Sequence, residues 1–464
     1  MDNYKLTVGL EIHTELKTRT KMFCSCKNDP DEARPNHNIC PVCMGHPGTL
    51  PYINKEAVKS VLKVGAALGG RLASKSEFDR KNYFYPDIPK GYQISQHKHP
   101  LVAGGELAGV AITRVHLEED TASSTHGEGG SLVDFNRAGV PLMELVTEPV
   151  INTPELAGHF ARELQLLLQY LGVSEANMEK GEMRVEANIS VSKDAKLGTK
   201  VEVKNLNSFR VVERAIAYEA KRQAELLESG GAVVQETRGW DEAKQATYSQ
   251  RTKEDSHDYR YFPDPDLPKL DFSLLPELTL EEISQTLTET PNKKRERISA
   301  RFGIKKEDVD TYINDRDLSE IFEQAAQYSK AEGYQLLSNF ILSVVGGIGQ
   351  DKSKLNPKII AEIVEMQSKG EISSLGAKEI LAKVIEVGGD PHRIAEENNL
   401  LQKSDIGFIT ELVRSVIAQN EEVVAQYKAG KGSAIQFLVG QAMKASKGSA
   451  NPGVVRGILE QELS

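Results

Sequence analysis

Cysteine and long apolar runs are scarce in this chain, and each scarcity excludes a class of proteins. The 464 residues contain four cysteines, all within positions 24–43, whereas small secreted domains held by disulfides have many cysteines in a short chain. No run of about 18 apolar residues is present, as a membrane-spanning helix would require. The first five residues are already polar, so we predict no signal peptide and expect a reducing, cytoplasmic location.

An excess of positive charge is also missing. The formal net charge is -10 and the isoelectric point is near 5.7, which argues against a protein that coats nucleic acid through bulk charge. Residues 425–459 are a local exception, with five Lys or Arg and no acid. This helical tail is a candidate RNA contact, although a solvated lysine-bearing helix face explains the composition equally well.

Common nucleotide-binding and hydrolytic signatures are absent as well. The sequence contains neither a Walker A motif nor the H-E-x-x-H pattern of zinc proteases. Strand patterns dominate the first 280 residues or so, and helical patterns dominate afterwards. The length and this change of pattern predict an α+β fold of about three domains, with a mixed or antiparallel sheet first and all-helical parts after it.

The first strand of the chain carries two kinds of face. Apolar side chains alternate from Leu6 to Leu16, which places Glu11, His13 and Glu15 on the opposite face. Unpaired charges are costly to bury beside a sheet, but carboxylates and an imidazole suit a divalent cation that holds a phosphate-bearing substrate. The alternative is an ordinary solvated strand face.

Later strands repeat this design. The strand at 110–120 ends in Glu118, Glu119 and Asp120. Two further strand patterns, at 183–191 and 200–210, have an apolar face opposite polar residues. Because Mg²⁺ takes one or two protein carboxylates together with substrate phosphate, we predict that these strands contribute to one phosphate-handling site, through Glu186, Asn188, Glu202 and Lys204.

Residues 79–96 form a dense loop of cations, aromatics and prolines. Such a loop suits stacking on a base and contact with phosphates, so Arg80, Lys81 and Tyr83 are candidates for substrate or nucleotide contact. An ordered turn with tyrosines packed on the sheet is the alternative.

The cysteines form two close pairs, Cys24 with Cys26 and Cys40 with Cys43, on either side of a polar loop. This spacing favours a structural Zn²⁺ site with four sulfur ligands over free core thiols, and His37 or His46 is a possible substitute ligand. Four bound thiolates would leave no cysteine as a nucleophile for glutamine hydrolysis.

Seven stretches of the chain, in one order, resemble the B-subunit family of the bacterial-type tRNA-dependent amidotransferases. Together they extend over essentially the whole sequence. They are Val8–His13, Arg80–Gln96, His116–Asp120, Asp134–Arg137, Lys204–Ser208, Asp258–Pro263 and Phe437–Gly448.

This resemblance implies a glutamine-dependent carbon–nitrogen ligase subunit that acts on Glu-tRNA(Gln), Asp-tRNA(Asn) or both. It implies that ATP phosphorylates the side-chain carboxylate and that ammonia then displaces the phosphate. The ammonia would come from a separate amidase (A) subunit, with a small C subunit bridging the two. Glu11, His13 and Glu119 match the family's Mg²⁺ positions, although Glu118 lies on the opposite face of an ideal strand and an exchange of the two stays open.

The same resemblance implies a division into domains. It comprises a cradle-like catalytic domain at 1–290 with the cysteine insertion at 23–46, a helical domain at 291–404 and a small tRNA-binding tail at 405–464. The rival hypothesis is a zinc-braced RNA-binding protein without catalysis, whose acidic strand faces only provide solubility.

Overall fold

The computed structural model describes residues 3–127, 129–194, 196–252, 259–349, 355–402, 406–446 and 450–463. The chain divides into two compact units, Met1–Pro291 and Asn292–Ser464. The first combines a large sheet with helices and the second is helical, so the predicted α+β class is confirmed. The predicted boundary at 404 and 405 lies outside the described residues.

Seventeen strands lie within the described part of the first unit. They are β1 (Lys5–Glu15), β2 (Arg71–Leu72), β3 (Lys75–Ser76), β4 (Asp79–Asn82), β5 (Tyr92–Ser95), β6 (Val102–Ala103), β7 (Glu106–Leu107), β8 (Val110–Glu119), β9 (Ser123–Gly127), β10 (Gly130–Asp134), β11 (Pro141–Thr147), β12 (Met183–Ser192), β13 (Val201–Leu206), β14 (Glu236–Asp241), β15 (Ala246–Thr252), β16 (Phe262–Pro263) and β17 (Leu270–Asp271).

The main sheet is organised around β1. Its strand order is β15-β14-β13-β12-β1-β11-β8-β6-β2, with β7 paired to β8. β1 runs antiparallel to both neighbours, β11 and β12, and only β13 and β14 pair in parallel in this order. Smaller sheets join β9 to β10, β3 to β17, and β4 to β5 and β16.

One face of the main sheet forms the core of the unit, and helices cover it. Val8, Leu10 and Ile12 are at most 1% exposed and alternate along β1, as predicted. The helices of this unit are α1 (Lys55–Ala67), α2 (Pro154–Tyr170), α3 (Phe209–Glu228) and α4 (Leu280–Gln285). Residues from all four belong to the same core cluster, which leaves the polar face of β1 on the other side of the sheet.

The helix starts follow from capping side chains. Asn54, Thr153 and Ser208 accept hydrogen bonds from the first-turn amides of α1, α2 and α3. The sequence pattern predicts a strand through residue 210 and a helix from Val211. Instead β13 ends at Leu206 and α3 begins at Phe209, because the Ser208 hydroxyl accepts from the amide of Val211.

The second unit consists of helices α5–α15. Their bounds are α5 (Pro291–Phe302), α6 (Lys306–Asn314), α7 (Arg316–Ala325), α8 (Tyr334–Phe340), α9 (Pro357–Ser368), α10 (Ser374–Val387), α11 (Pro391–Glu397), α12 (Ile406–Gln419), α13 (Glu421–Lys428), α14 (Ala434–Ala445) and α15 (Pro452–Leu463). The last four share a small core that includes Ile409, Val413, Leu438 and Leu459. Across the described residues, no helix has the length and apolar character needed to cross a membrane.

Candidate functional site

Four neighbouring strands place an ionisable row on the face of the main sheet opposite the helix-covered core. His116 of β8 lies opposite Glu144 of β11, Glu144 lies opposite His13 of β1, and His13 lies opposite Arg184 of β12. Both imidazoles reach one carboxylate: Glu144 Oε2 is 3.4 Å from His13 Nε2 and 3.2 Å from His116 Nε2. Glu11 adds a second carboxylate, with its Oε1 4.0 Å from His13 Nε2.

The ionisation of this row reflects burial and close charges. Burial favours neutral forms, but the charges and hydrogen bonds of His116 and His13 hold the pKa of Glu144 well below its usual range. Burial likewise opposes charge on His13, yet Glu144, Glu118 and Glu186 raise its pKa to about 9. Burial raises the pKa of Glu11 to about 7, and Glu144 and Glu186 add to that rise.

A second group of ionisable side chains continues from Glu11 across β12 and β13. Glu186 faces Glu11 in the register, and the acidic oxygens of Glu11, Glu186 and Glu202 lie within 4.8 Å of one another. Lys204 Nζ is 2.7 Å from Glu186 Oε2 and 3.6 Å from Glu202 Oε1. The structure thus brings together four residues that the strand patterns assign to one site.

Asn188 occupies the next position on the same face of β12. Its buried Oδ1 has no hydrogen-bond partner among the residues that the structure describes, and the residue lines a cavity with Gly9 and Thr147. It lies beside the acidic group and takes no part in the ion pairs described there.

Glu118, and not Glu119, lies beside His13 on the polar face of β1. Glu118 Oε1 is 3.6 Å from His13 Nε2, and Ser95 donates a hydrogen bond to its other oxygen. Glu119 instead continues the core-facing row of Val115 and Leu117. The structure therefore does not bring Glu119 to Glu11 and His13, because side chains alternate along β8.

Glu119 has its own partners on the opposite side. Lys90 Nζ lies 2.5 Å from its Oε1, and the amide of Ile94 donates to the same oxygen at 2.9 Å. It also lines a cavity of about 100 Å³ together with Cys24 and Cys43. Glu119 thus belongs to the surroundings of the cysteine insertion.

Lys81 and a group of tyrosines stand beside the ionisable row. Burial opposes charge on Lys81, but the carboxylate of Glu118 contributes most to raising its pKa. Its Nζ lies 5.0 Å from the centroid of the Tyr259 ring and 6.0 Å from that of Tyr83. Asp258, the first residue of the sequence motif that contains Tyr259, lies outside the described residues.

Arg80 points away from this group. Its Nε binds the buried Asp264 at 2.9 Å, its second nitrogen binds Asp266 at 2.9 Å, and its guanidinium stacks 4.3 Å from the centroid of Tyr92. These contacts engage the guanidinium beside the short sheet of β4, β5 and β16, and a contact of Arg80 with substrate or nucleotide stays a prediction.

Sequence reasoning missed Glu144 and His116, and it considered Glu118 only as an alternative to Glu119. For each of these residues the sequence contains a feature that could have indicated its role. Glu144 interrupts an otherwise apolar strand, and a lone acid at such a position requires a partner. His116 and Glu118 are two residues apart and therefore share a face of β8.

Glu15 lies at the end of the same face of β1, in a separate cluster. Burial and the neighbouring Asp120 raise the pKa of Glu15 to about 8. Asp120 in turn binds Arg184 at 2.9 Å and lies 3.7 Å from Arg137. The cluster pairs charges at the ends of three strands.

The four cysteines meet in one place. All four sulfurs lie within 4.8 Å of one another, and those of Cys40 and Cys43 are 3.8 Å apart. Tetrahedral Zn–S bonds of about 2.3 Å place sulfurs about 3.8 Å apart, so the set fits zinc. The hydrogen bond from Cys24 lowers the pKa of the Cys43 thiol to about 5, and Lys21 contributes to this.

Hydrogen bonds to Asn136, in a turn 98 to 99 residues further along the chain, hold the loop between the cysteine pairs in place. Asn136 is 1% exposed, and its Oδ1 accepts from the amides of His37 and Asn38 at 2.8 and 2.9 Å. Its Nδ2 donates to the carbonyls of Arg34 and Glu32. Neither His37 nor His46 belongs to a metal-ligand group found among the described residues.

The ionisable row fits a divalent cation by its donor types and spacing. Donors around one Mg²⁺ at about 2.0–2.1 Å lie roughly 3 to 4 Å apart. His13 Nε2 lies 4.0 Å from Glu11 and 3.4 Å from Glu144, and the donor atoms of each group, Glu11 with His13 and Glu144 or His116 with Glu118 and Glu144, lie within 4.8 Å of one another. Two adjacent arrangements share Glu144, which makes it the centre of the candidate site.

Comparison with known proteins places these features in a family context. Residues 6–274 match the GatB/GatE catalytic domain, and residues 320–463 match a domain described as the GatB domain. The chain is 44% identical to the B subunit of the aspartyl/glutamyl-tRNA(Asn/Gln) amidotransferase of Caldicellulosiruptor saccharolyticus, with 99% of both chains covered. Proteins of the same name from Persephonella marina and Brevibacillus brevis are 43% and 40% identical, over 99% and 100% of both chains.

Proposed function

The chain belongs to the family of aspartyl/glutamyl-tRNA(Asn/Gln) amidotransferase B subunits, and on that premise we propose that it activates a carboxylate with ATP. The substrate is the Glu or Asp side chain of misacylated Glu-tRNA(Gln), Asp-tRNA(Asn) or both, and the product is the amide used in translation. The observation that carries the proposal is the row of His116, Glu144 and His13, which suits an ion bound to phosphate.

The reaction needs two bond exchanges. A side-chain carboxylate oxygen attacks the γ-phosphorus of ATP, the bond to the β-phosphate oxygen breaks, and ADP leaves. Ammonia then attacks the carbonyl carbon of the acyl phosphate, inorganic phosphate leaves and the nitrogen loses a proton. ATP is required because a free carboxylate has no adequate leaving group for displacement by ammonia.

Glu11, His13 and Glu144 are the residues proposed to hold Mg²⁺. Glu118, rather than Glu119, is the further carboxylate that we propose for this site, because it lies beside His13. When bound, Mg²⁺ neutralises phosphate charge and aligns the phosphate with the attacking oxygen. His116 holds Glu144 in position from the far side, 3.2 Å away.

Lys204 and Lys81 supply positive charge at the two sides of this row. Lys204 is anchored by Glu186 and Glu202, and Lys81 lies beside Glu118 and the Tyr83 ring. We assign them to the phosphate and carboxylate oxygens of the substrates. Asn188, with its unpaired amide oxygen, is a weaker candidate for nucleotide contact.

The ammonia is proposed to come from a partner chain. The four cysteines lie together and are proposed as ligands of a structural Zn²⁺, so none is left as a nucleophile for glutamine hydrolysis. An amidase A subunit supplies ammonia in this scheme, a small C subunit completes a heterotrimer, and the reaction takes place in the cytoplasm.

A reconstituted complex of the three subunits tests this function. Misacylated Glu-tRNA(Gln) and Asp-tRNA(Asn) are supplied separately, with glutamine or ammonium chloride, and the esterified amino acid is analysed after hydrolysis. We expect amide only when ATP and Mg²⁺ are present, with ADP formed in equal amount. Binding of tRNA without any ATP-dependent amide would favour the rival RNA-binding hypothesis.

The basic tail gives a separate prediction about tRNA. Lys428, Lys431 and Lys444 are exposed around the small core of α12–α15. Replacing all three by alanine is expected to weaken tRNA binding and to reduce the slope of log affinity against log salt by about 2 to 3, because each phosphate contact contributes nearly one. ATP hydrolysis with saturating tRNA is expected to change much less.

The matched control for the tail replaces three exposed lysines elsewhere in the second unit, Lys306, Lys358 and Lys378. Removal of residues 405–464 is expected to act in the same direction as the tail variant. An unchanged affinity and salt slope in both tail variants would contradict the assignment of the tail to tRNA.

A further inference from the structure

A fully buried lysine lies beside the cysteine site. Lys21 is 0% exposed, and its Nζ is 4.0 Å from Cys43 Sγ and 3.2 Å from the Phe135 carbonyl oxygen, to which it donates. Its own amide donates to the carbonyl of Cys26 at 3.0 Å. The backbone of Lys21 is therefore bonded to the cysteine insertion, and its side chain reaches the sulfur of Cys43.

The charge of Lys21 needs an anion, since a buried ammonium without a counter-charge is strongly destabilising. Within the described part of the chain, no carboxylate lies within 4.0 Å of its Nζ. Glu119, which shares Gly139 as a neighbour, is already engaged by Lys90 at 2.5 Å. The anionic group within reach is the sulfur of Cys43.

Zinc with four thiolates carries a formal charge of about -2, and this charge is partly buried here because Cys24 and Cys43 are 3% and 5% exposed. Donors around the sulfurs reduce the cost of such a site and tune its affinity. The amide of Cys40 donates to Cys43 Sγ at 3.2 Å, which is a dipole, whereas Lys21 provides a full positive charge.

We propose that Lys21 is the counter-charge of the cysteine metal site, holding the Cys43 thiolate through its ammonium group. In this role Lys21 is a positioning residue and does not itself bind metal. The proposal depends on the cysteines holding a metal and is independent of the amidotransferase reaction.

Two substitutions separate charge from shape. Lys21→Met removes the charge and keeps the length, while Lys21→Gln also keeps a donor for the Phe135 carbonyl. Lys27→Met is the matched control, because Lys27 adjoins Cys26 in sequence but its side chain is 68% exposed and paired with Asp29. Lys27→Met removes the same positive charge from a solvent-exposed position near the cysteine site.

The first measurement is zinc content and zinc affinity of the full chain, purified without chelator and titrated against a chromophoric chelator. Wild type is expected to hold one zinc per chain. Lys21→Met and Lys21→Gln are expected to bind zinc about 10- to 100-fold more weakly, as is usual when a side chain that supports a metal ligand is lost. Lys27→Met is expected to stay within about twofold of wild type.

The second measurement is thermal unfolding with zinc and after chelation. With zinc, Lys21→Met is expected to lower the melting temperature. Without zinc the loss is expected to be clearly smaller, because the ammonium then faces a single thiolate in place of a zinc site that carries four. This dependence of the loss on zinc is a signature that a merely structural lysine would not give.

Three results would overturn the proposal. They are a wild-type chain that binds no metal, equal zinc affinity in Lys21→Met, Lys21→Gln and Lys27→Met, and the same loss of stability by Lys21→Met with and without zinc. If Lys21→Met does not fold, the affinity of Lys21→Gln decides in the same way.

Discussion

Glu118→Gln is expected to lower the rate of ATP-dependent amide formation by about a thousandfold, a loss typical of removing one charged group from a site that stabilises a transition state. Glutamine keeps the shape of the side chain and can still accept from Ser95, but it removes the charge 3.6 Å from His13. The side chain is 2% exposed, so solvent cannot replace that charge.

Glu119→Gln is the matched control one residue further on. It removes the ion pair with Lys90 and is expected to reduce stability while leaving most of the catalytic rate at permissive temperature. Single-turnover amide formation in the reconstituted complex gives the rates, and thermal unfolding gives the stabilities. An inactive but folded Glu119→Gln together with an active Glu118→Gln would reverse the assignment.

Glu219→Ala is expected to destabilise the first unit by about 3–5 kcal/mol, the usual cost of breaking a buried ion pair from one side. Glu219 of α3 is 0% exposed and binds Arg222 at 2.6 Å, Arg238 at 3.4 Å and the Thr247 hydroxyl at 2.8 Å. Its removal leaves two arginines without their shared carboxylate, although Glu236 remains 2.6 Å from Arg238. Alanine also leaves a cavity.

The control for this experiment lies on the same helix. Glu225 pairs with Lys221 at 3.7 Å and its side chain is 65% exposed, so Glu225→Ala is expected to change stability by no more than about 0.5 kcal/mol. Denaturant unfolding followed by the fluorescence of Trp240, which lies in β14, reports on this part of the unit. Similar losses in both variants would show that the buried network does not stabilise the fold as described.

The sequence correctly predicted features that depend on a single strand or helix, such as which residues are buried and where a helix begins. Alternation along β1 correctly separated Val8, Leu10 and Ile12 from the face that bears Glu11 and His13. Capping residues located the starts of α1 and α2. These features depend on neighbours a few residues away, so a periodic pattern contains them.

Prediction failed where the outcome depends on pairing between distant strands. Glu144 acquires its role only because β11 lies between β8 and β1, which places one histidine on each side of it. The register of β8 with β11 also shifts between Val146 and Thr147. Such an irregularity is not visible in periodicity, and the choice between Glu118 and Glu119 depends on the phase of that strand.

The partners of Arg80 could not be predicted from its local sequence either. Its residue type and its aromatic neighbours suit phosphate binding, but Asp264 and Asp266 lie 184 and 186 residues away in sequence and engage it. Local sequence cannot reveal which carboxylates of the protein pair with a cation, and here two of them share the Arg80 guanidinium.

The fastening of the cysteine loop by Asn136 also has a consequence for the order of folding. His37 and Asn38 bond to a side chain that follows them by 99 and 98 residues. Closing so long a loop has an entropic cost that local contacts do not repay until the intervening strands are in place. We therefore expect the cysteine insertion to emerge early in synthesis but to reach its final form late, after the turn before β11 has left the ribosome.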